Sequence, residues 1–259
     1  MIRALWVLLL GVVASGGFAP IAKWWLFPLA LAFFIIHSIN QHVRQRVVLA
    51  FLFGLGFFAP MLHWSSSFVG ALPWLLLTLM SALFYIPLAI AVRSKKFLLL
   101  VFPAFWVSIE FFRNRIPFGG FAWGRAGYLA VDSPYSELVP YIGVAGASFV
   151  FALLAVAIYR ILTAFRLYWI PVMILLAFIP QYSVNPVGEI TMTSIQGNVP
   201  RLGYEISTQV RKVFENHANE TIRASASSAS NPPDVYIWPE DGADIDPLKT
   251  GREEITALV

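Results

Sequence analysis

No cysteine occurs in the 259 residues. That excludes a disulfide framework, a thiolate metal site and a thiol nucleophile drawn from these residues. Charge is scarce as well: Asp, Glu, Lys and Arg make up 12% of the chain, where a soluble domain carries roughly 25%. With 58% apolar residues against an ordinary value of about 45–50%, the chain is no ordinary soluble globule. No internal repeat, Gly-rich phosphate loop, His/Asp metal cluster or low-complexity tract is legible, so neither a metal nor a cofactor is expected. The excess of 18 basic over 14 acidic side chains would ordinarily raise nucleic acid as a partner. Here the basic residues fall in short loops between apolar runs, the distribution of membrane topology signals, and no nucleic acid is expected.

What is abundant is apolar sequence, and it is unevenly placed. Residues 1–182 consist of long Leu, Phe, Ala, Val and Ile runs, whereas 183–259 have the polar density of a water-soluble domain. Seven apolar stretches can be marked, at 4–19, 24–39, 47–69, 71–92, 97–112, 138–164 and 167–182. A bilayer core takes about 20 apolar residues per helix, so the first two and the last are short. The expectation is a polytopic α-helical membrane bundle of about seven spans over 1–185, with 186–259 forming a separate polar unit. Arg3 before an apolar run and the small residues Ala14, Ser15, Gly16 and Gly17 after it also fit a signal peptide, but further apolar runs follow at once, which favours an uncleaved span.

Alternate loops differ in charge. With the N-terminus inside, the inner segments hold eight basic residues, Arg3, Arg44, Arg46, Arg93, Lys95, Lys96, Arg160 and Arg166, and the outer loops before the fifth span hold only Lys23. The loop after the fifth span, with Arg113, Arg115 and Arg125, breaks that pattern and invites a functional explanation. An odd number of spans then places the C-terminal segment outside the cytoplasm. That segment reads as strand (Glu189 to Gln196), helix (Ile206, Val210, Val213, Phe214 and Ile222, with Ser207 or Thr208 near its start) and strand (Val235 to Trp238). Strand, helix and strand in that order belong to a layered α/β domain, and some 75 residues are too few to cover such a sheet unaided.

Three places hold chemistry-bearing residues. Glu110 and Arg113, three apart on a helix, share a face and can neutralise one another at a membrane boundary. After them comes a run of Gly and aromatic residues from Gly119 through Trp123 to Tyr128, which reads either as interfacial aromatics or as a loop that dips into the bilayer and lines a lipid-accessible cavity. In the third stretch Gly54, Gly56 and Pro60 loosen the helix before His63, which is an interfacial donor rather than a ligand. Glu240, closing Trp238-Pro239-Glu240 after a buried strand, is either a capping or surface carboxylate or a general base held at the end of a sheet. Gly197 in Gln196-Gly197-Asn198 fits plain turn chemistry.

Taken together, Gly17-Phe18-Ala19-Pro20, Glu110 with Arg113, Gly120 through Trp123 with Gly127 and Tyr128, Pro140, Gly143, Gly146 through Phe149, Gln196-Gly197-Asn198 and Trp238-Pro239-Glu240 resemble, in order, the N-terminal portion of the apolipoprotein N-acyltransferase family. Gly197 to Gly203 looks most like the actinobacterial branch. The resemblance implies a membrane bundle joined to an extracytoplasmic nitrilase-like (CN hydrolase, αββα sandwich) domain, in a bacterial plasma membrane with the N-terminus cytoplasmic. It implies a phospholipid as acyl donor, the diacylglyceryl-cysteine amine of an apolipoprotein as acceptor, and a thioester intermediate on a Cys assisted by a Glu and a Lys. On that likeness Glu240 matches the general base, while Glu110, Arg113, Trp123, Tyr128 and Tyr204 are candidates for lining the lipid or substrate path. The family's Cys, Lys and final span have no match here, Lys249 not being at the Lys position, so the chain reads as incomplete and inactive by itself. Ala122 stands where the family commonly has Pro, and Asp241 where it has Ser, Thr or Asn. The competing reading is a non-catalytic polytopic protein, a lipid-binding scaffold or transporter-like remnant, and a metal-dependent enzyme on lipid-linked sugars would need Asp241, Asp244 and Asp246 as its cluster.

Overall fold

The computed structural model describes residues 2–93, 95–198, 210–228, 230–240 and 242. It separates into two compact units, Met1–Ser183 and Val184–Val259. Each of the seven apolar stretches contains helix. The first unit is built from α1 (Ile2–Ser15), α2 (Leu26–Ser38), α3 (Val43–Met61), α4 (Ser66–Val69), α5 (Ala71–Leu83), α6 (Leu88–Ala91), α7 (Leu98–Arg113), α8 (Val139–Ala164) and α9 (Trp169–Ala177). Among the described residues three helical segments are long and apolar enough to cross a membrane by length and composition: Val43–Met61, Ala71–Ala91 and Ser136–Ala164. The apolar helices α1 and α2 are shorter. Along α5, Leu72, Leu75, Leu76, Leu79 and Leu83 are all exposed, a stripe at helical spacing with no protein against it. Such a face is unfavourable in water and natural against lipid, which places this unit in a membrane.

Close backbone contact ties α1 to α3. A Cβ on Gly11 would sit 2.3 Å from the Phe53 carbonyl oxygen, and one on Gly56 would sit 2.0 Å from that of Leu8. The glycines of the third stretch therefore serve helix packing, and α3 runs unbroken to Met61; the expected loosening is corrected here. Small residues at a helix crossing are what association in lipid requires, because apolar burial gives little drive there. The core beside this crossing is aromatic. Phe27 meets Trp106 edge-on at 5.2 Å, Tyr85 meets Trp106 at 5.0 Å, and Phe57 and Phe58 meet at 4.9 Å. Such edge-to-face pairs add about 0.5–1.5 kcal/mol each beyond burial. The chain of rings leads from α2 and α3 to α7, and so to Glu110.

The loops sort to two ends. At one end Arg3 Nη1 donates to Gln41 Oε1, joining the start of α1 to the α2–α3 turn. At the same end Arg160 Nη2 donates to the Lys95 carbonyl at 2.6 Å, joining the end of α8 to the α6–α7 turn, and a cavity lined by Asn40, Lys95 and Arg160 brings in the end of α2. The α1–α2, α3–α5 and α7–α8 links lie at the other end of the helices, where Phe18, Met61, Trp64 and Trp123 share a second cavity.

In the second unit β1 (Met192–Ser194) and β2 (Val235–Ile237) pair in parallel, with Met192 opposite Val235 and Ser194 opposite Ile237. Between them runs α10 (Val210–Ser227). A parallel pair needs a crossover, and α10 supplies it. The strands are shorter than the sequence suggests, and strand, helix and strand follow one another in the expected order. Asp234 locks the edge: its Oδ2 accepts from Thr191 N–H at 2.8 Å, and its own N–H donates to the Thr191 carbonyl at 2.8 Å. Ser207 and Thr208, proposed from the sequence as caps, lie outside the described residues.

Candidate functional site

The site in the helical unit begins with a carboxylate in an apolar setting. Glu110 lies in the last turn of α7 and is fully buried, as is Arg113. Trp106, one turn earlier, donates its indole N–H to Glu110 Oε1 at 2.8 Å, and the Ala126 N–H donates to the same oxygen at 2.7 Å. Arg125 Nε stands 3.7 Å from Oε2, and the Ser148 hydroxyl also interacts with the carboxyl. The Arg113 charge acts on the Glu110 carboxyl, but no direct ion pair forms between them: Arg113 donates from Nη1 to the Phe121 carbonyl at 2.7 Å and lays its guanidinium 4.9 Å from the Phe58 ring centre. The reason is the returning loop. Phe121 N–H donates to the Arg113 carbonyl at 2.8 Å, so the loop is stitched to the helix end in both directions and delivers Arg125 to Glu110.

Gly120 makes this return possible. Its φ is +85°, and a Cβ there would lie 2.0 Å from the Asn114 carbonyl carbon. Further on, Gly127 N–H donates to Ser148 Oγ at 2.8 Å, tying the loop to α8. Glu110 and Ser148 therefore anchor two consecutive residues, Ala126 and Gly127, from two different helices.

The anchored loop carries Trp123 and Tyr128, both about half exposed. Trp123 lies against Trp64 at 5.4 Å and is stacked on Phe121 at 6.3 Å. Phe18, Ala19, Met61, Trp64, Trp123 and Tyr128 line a cavity of about 340 Å³, within the ordinary size of a ligand pocket. Its walls are mostly apolar, with indole and phenol groups among them, a combination suited to an acyl chain near a membrane surface. Thus Trp123 and Tyr128 line the cavity, while Glu110 and Arg113 support it from behind and do not line it. Tyr204 lies outside the described residues. Sequence reading missed Trp106, Trp64, Met61 and the anchoring role of Ser148. Trp106 had a local signal, the i to i+4 spacing to Glu110 that puts both on one helix face; the others arrive through contacts between distant segments.

In the second unit Glu240 follows β2 and is exposed, with no hydrogen bond or ion pair among the described residues. Its neighbour Trp238 is well held, donating from Nε1 to Thr221 Oγ1 at 2.9 Å and packing on Phe214 at 5.4 Å and His217 at 5.5 Å. His217 is buried, with Nδ1 2.8 Å from the Val213 carbonyl, and was not singled out from the sequence. A Cβ on Gly197 would meet the His217 N at 2.5 Å, while the positive φ in this turn, +67°, belongs to Asn198. Gly197 is thus set by close approach to α10. Asp241, Asp244, Asp246 and Lys249 lie outside the described residues, and among the described residues no group of acidic or His side chains could hold a metal ion.

Residues 10–157 match the family model described as apolipoprotein N-acyltransferase N-terminal domain. The chain is 34% identical to the apolipoprotein N-acyltransferase of Mycolicibacterium smegmatis over 92% of its own length and 47% of that protein's. It is 29% identical to the enzyme of the same name from Photobacterium profundum, over 74% of the chain and 41% of the relative. For that of Shewanella oneidensis the figures are 29%, 77% and 43%. The chain spans about half the length of the curated relatives it matches. The family model covers more than half of the residues and includes the whole Glu110 to Ser148 assembly. The chain belongs to the apolipoprotein N-acyltransferase family.

Proposed function

We propose that the chain serves the transfer of a fatty acyl group from a membrane phospholipid to the N-terminal diacylglyceryl-cysteine amine of apolipoproteins. The observation that carries this reading is the aromatic cavity around Trp123, held open by a loop that Glu110 and Ser148 anchor from beneath. In this reading the helical unit crosses the membrane seven times with the N-terminus in the cytoplasm, and 186–259 open an extracytoplasmic nitrilase-like domain.

The chemistry follows in two steps. A thiolate attacks the ester carbonyl of the phospholipid; the C–O bond breaks, the lysophospholipid leaves as its alcohol with a proton, and a thioester forms. The acceptor amine then attacks the thioester, a proton is removed from nitrogen, and the thiol is released as the amide forms. Glu240 is the base in this scheme, taking the proton from the thiol and later from the amine. With no cysteine in these residues, the thiol comes from outside them. Acylation assayed with that thiol-bearing part present should fall about 10²- to 10⁴-fold in Glu240→Gln, with membrane insertion unchanged. Retained activity assigns the base elsewhere. A photoactivatable phospholipid should label the Trp123 loop, and Trp123→Ala should lose most of that labelling without loss of thermal stability, because the side chain is half exposed. Labelling confined to other helices removes the cavity from the lipid path.

A non-catalytic lipid-binding scaffold is the competing reading. It predicts the same crosslink and no acylation under any complementation.

A further inference from the structure

The end of the helical unit opposite the aromatic loop carries charge of one sign. It gathers the start of α1, the α2–α3 turn, the α6–α7 turn and the end of α8. The eight basic residues from Arg3 to Arg166 counted above all fall in these segments. Residues 1–183 contain only three carboxylates, Glu110, Asp132 and Glu137. Glu110 lies under the aromatic loop, and Asp132 and Glu137 lie in the turns that lead into α8, so all three belong to the other end. The 16 residues of α7 put about 24 Å between the ends.

Within the basic end is a cavity of about 310 Å³. Ile36 and Ile39 of the α2 end give it an apolar side, and Lys95, Arg160, Asn40 and Thr163 give it a polar one. Arg160 spends one nitrogen on the Lys95 carbonyl. Neither Lys95 nor Arg160 has an ion pair among the described residues. Tyr159 lines the cavity as well; its ring is buried, and its hydroxyl makes no hydrogen bond among the described residues but is not itself a buried atom, so it opens to the cavity. A hydroxyl that opens into a cavity beside two cations can donate to an acceptor held there.

We propose that this cavity binds the headgroup phosphate of an anionic glycerophospholipid. Lys95 and Arg160 face the phosphate, Tyr159 donates to it or to a headgroup hydroxyl, and the acyl chains run along the apolar side at Ile36 and Ile39. Basic pockets between helices at one membrane surface recognise such lipids, and each cation contributes about a fivefold gain in affinity. A basic loop that only sets topology needs no concave site with an apolar side and a cationic one. The site lies a helix length from the aromatic cavity and does not rest on the acyl-transfer reading.

The test is native mass spectrometry of the full chain released from detergent with equal amounts of dioleoyl phosphatidylglycerol and dioleoyl phosphatidylcholine. The expected result is retention of phosphatidylglycerol over phosphatidylcholine by about tenfold or more. Lys95→Gln should lower that retention about fivefold. Tyr159→Phe should lower it about threefold. Arg166→Gln, outside the cavity, should leave it unchanged. Lys95→Gln keeps the backbone carbonyl that Arg160 uses, so it reports on binding even where Arg160→Gln fails to fold. Equal retention of the two lipids overturns the proposal. So does an Arg166→Gln loss as large as that of Lys95→Gln, which would mean a diffuse positive surface. Full displacement of phosphatidylglycerol by inorganic phosphate would make the site one for free anions and overturn it equally.

Discussion

A carboxylate inside an apolar helical unit persists only where its charge is answered locally, and Glu110 is answered by Trp106, the Ala126 N–H and Arg125. Two of these partners are neutral donors aimed at one oxygen. The charged partner stands at 3.7 Å from the other, beyond hydrogen-bond length. Glu110→Ala would strip the buried N–H groups of their acceptor and leave Arg125 uncompensated. The expected cost is about 3–5 kcal/mol, read as a lower unfolding temperature in detergent. Glu110→Gln keeps a carbonyl oxygen for Trp106 and Ala126 and should cost about 1–2 kcal/mol. Equal losses in the two variants would show that the charge, and not the acceptor oxygen, holds the loop. The Glu110–Arg113 spacing was legible in the sequence and its partner was not. Three-residue spacing says that two side chains share a face, but the pairing depends on a loop returning over them, and that return is fixed by Gly120 and by Arg113 itself binding the Phe121 carbonyl.

At the scale of elements, apolar runs gave the positions of the helices, because a run of Leu and Phe bounded by Gly, Pro and charge has few other solutions in lipid. Interruptions within runs were harder to see. The fourth run is one apolar stretch in sequence, yet it divides into α5 and α6 ahead of Pro87, which has no N–H to continue the ladder. The glycines of the third run suggested weakness and turn out to be a contact surface, since only a neighbour in space distinguishes the two. The Gly11–Gly56 crossing makes this testable. Gly56→Leu would force α1 away from α3, and overpacking of this kind costs about 1–3 kcal/mol. The variant should lose thermal stability, whereas Leu76→Ala on the lipid-facing side of α5 should change it little. If Gly56→Leu is tolerated as well as Leu76→Ala, the α1–α3 contact is not what organises the unit. In the second unit, the order strand, helix, strand was legible from alternation and helical spacing, but the parallel register required the Thr191–Asp234 lock, which no local pattern encodes.

Across the whole helical unit the two ends differ in kind. One is basic, with a phenol and an amide among its cations; the other is aromatic and glycine-rich, with its carboxylates either buried or in turns. The alternation of basic and neutral loops along the sequence is matched by physical convergence: Arg3 meets the α2–α3 turn, and Arg160 meets the α6–α7 turn. Positive charge is retained on the cytoplasmic face of a membrane, so the basic end should face inward and the aromatic cavity outward. Among the described residues three segments are long and apolar enough to cross by length and composition, so the number of crossings is the quantity to measure. A series of fusions settles both. A phosphatase active only outside the cytoplasm, joined after residue 40, after residue 96, after residue 124 and after residue 185, should be silent at the first two positions and active at the last two. Activity at 185 together with silence at 96 requires an odd number of crossings between them, as α7, α8 and α9 provide. Silence at 185 would leave α9 as a helix lying on the membrane surface and would put Glu240 on the same side as Lys95, out of reach of an extracytoplasmic acceptor. Activity at 96 would invert the unit and place the proposed anionic-lipid cavity in the outer leaflet.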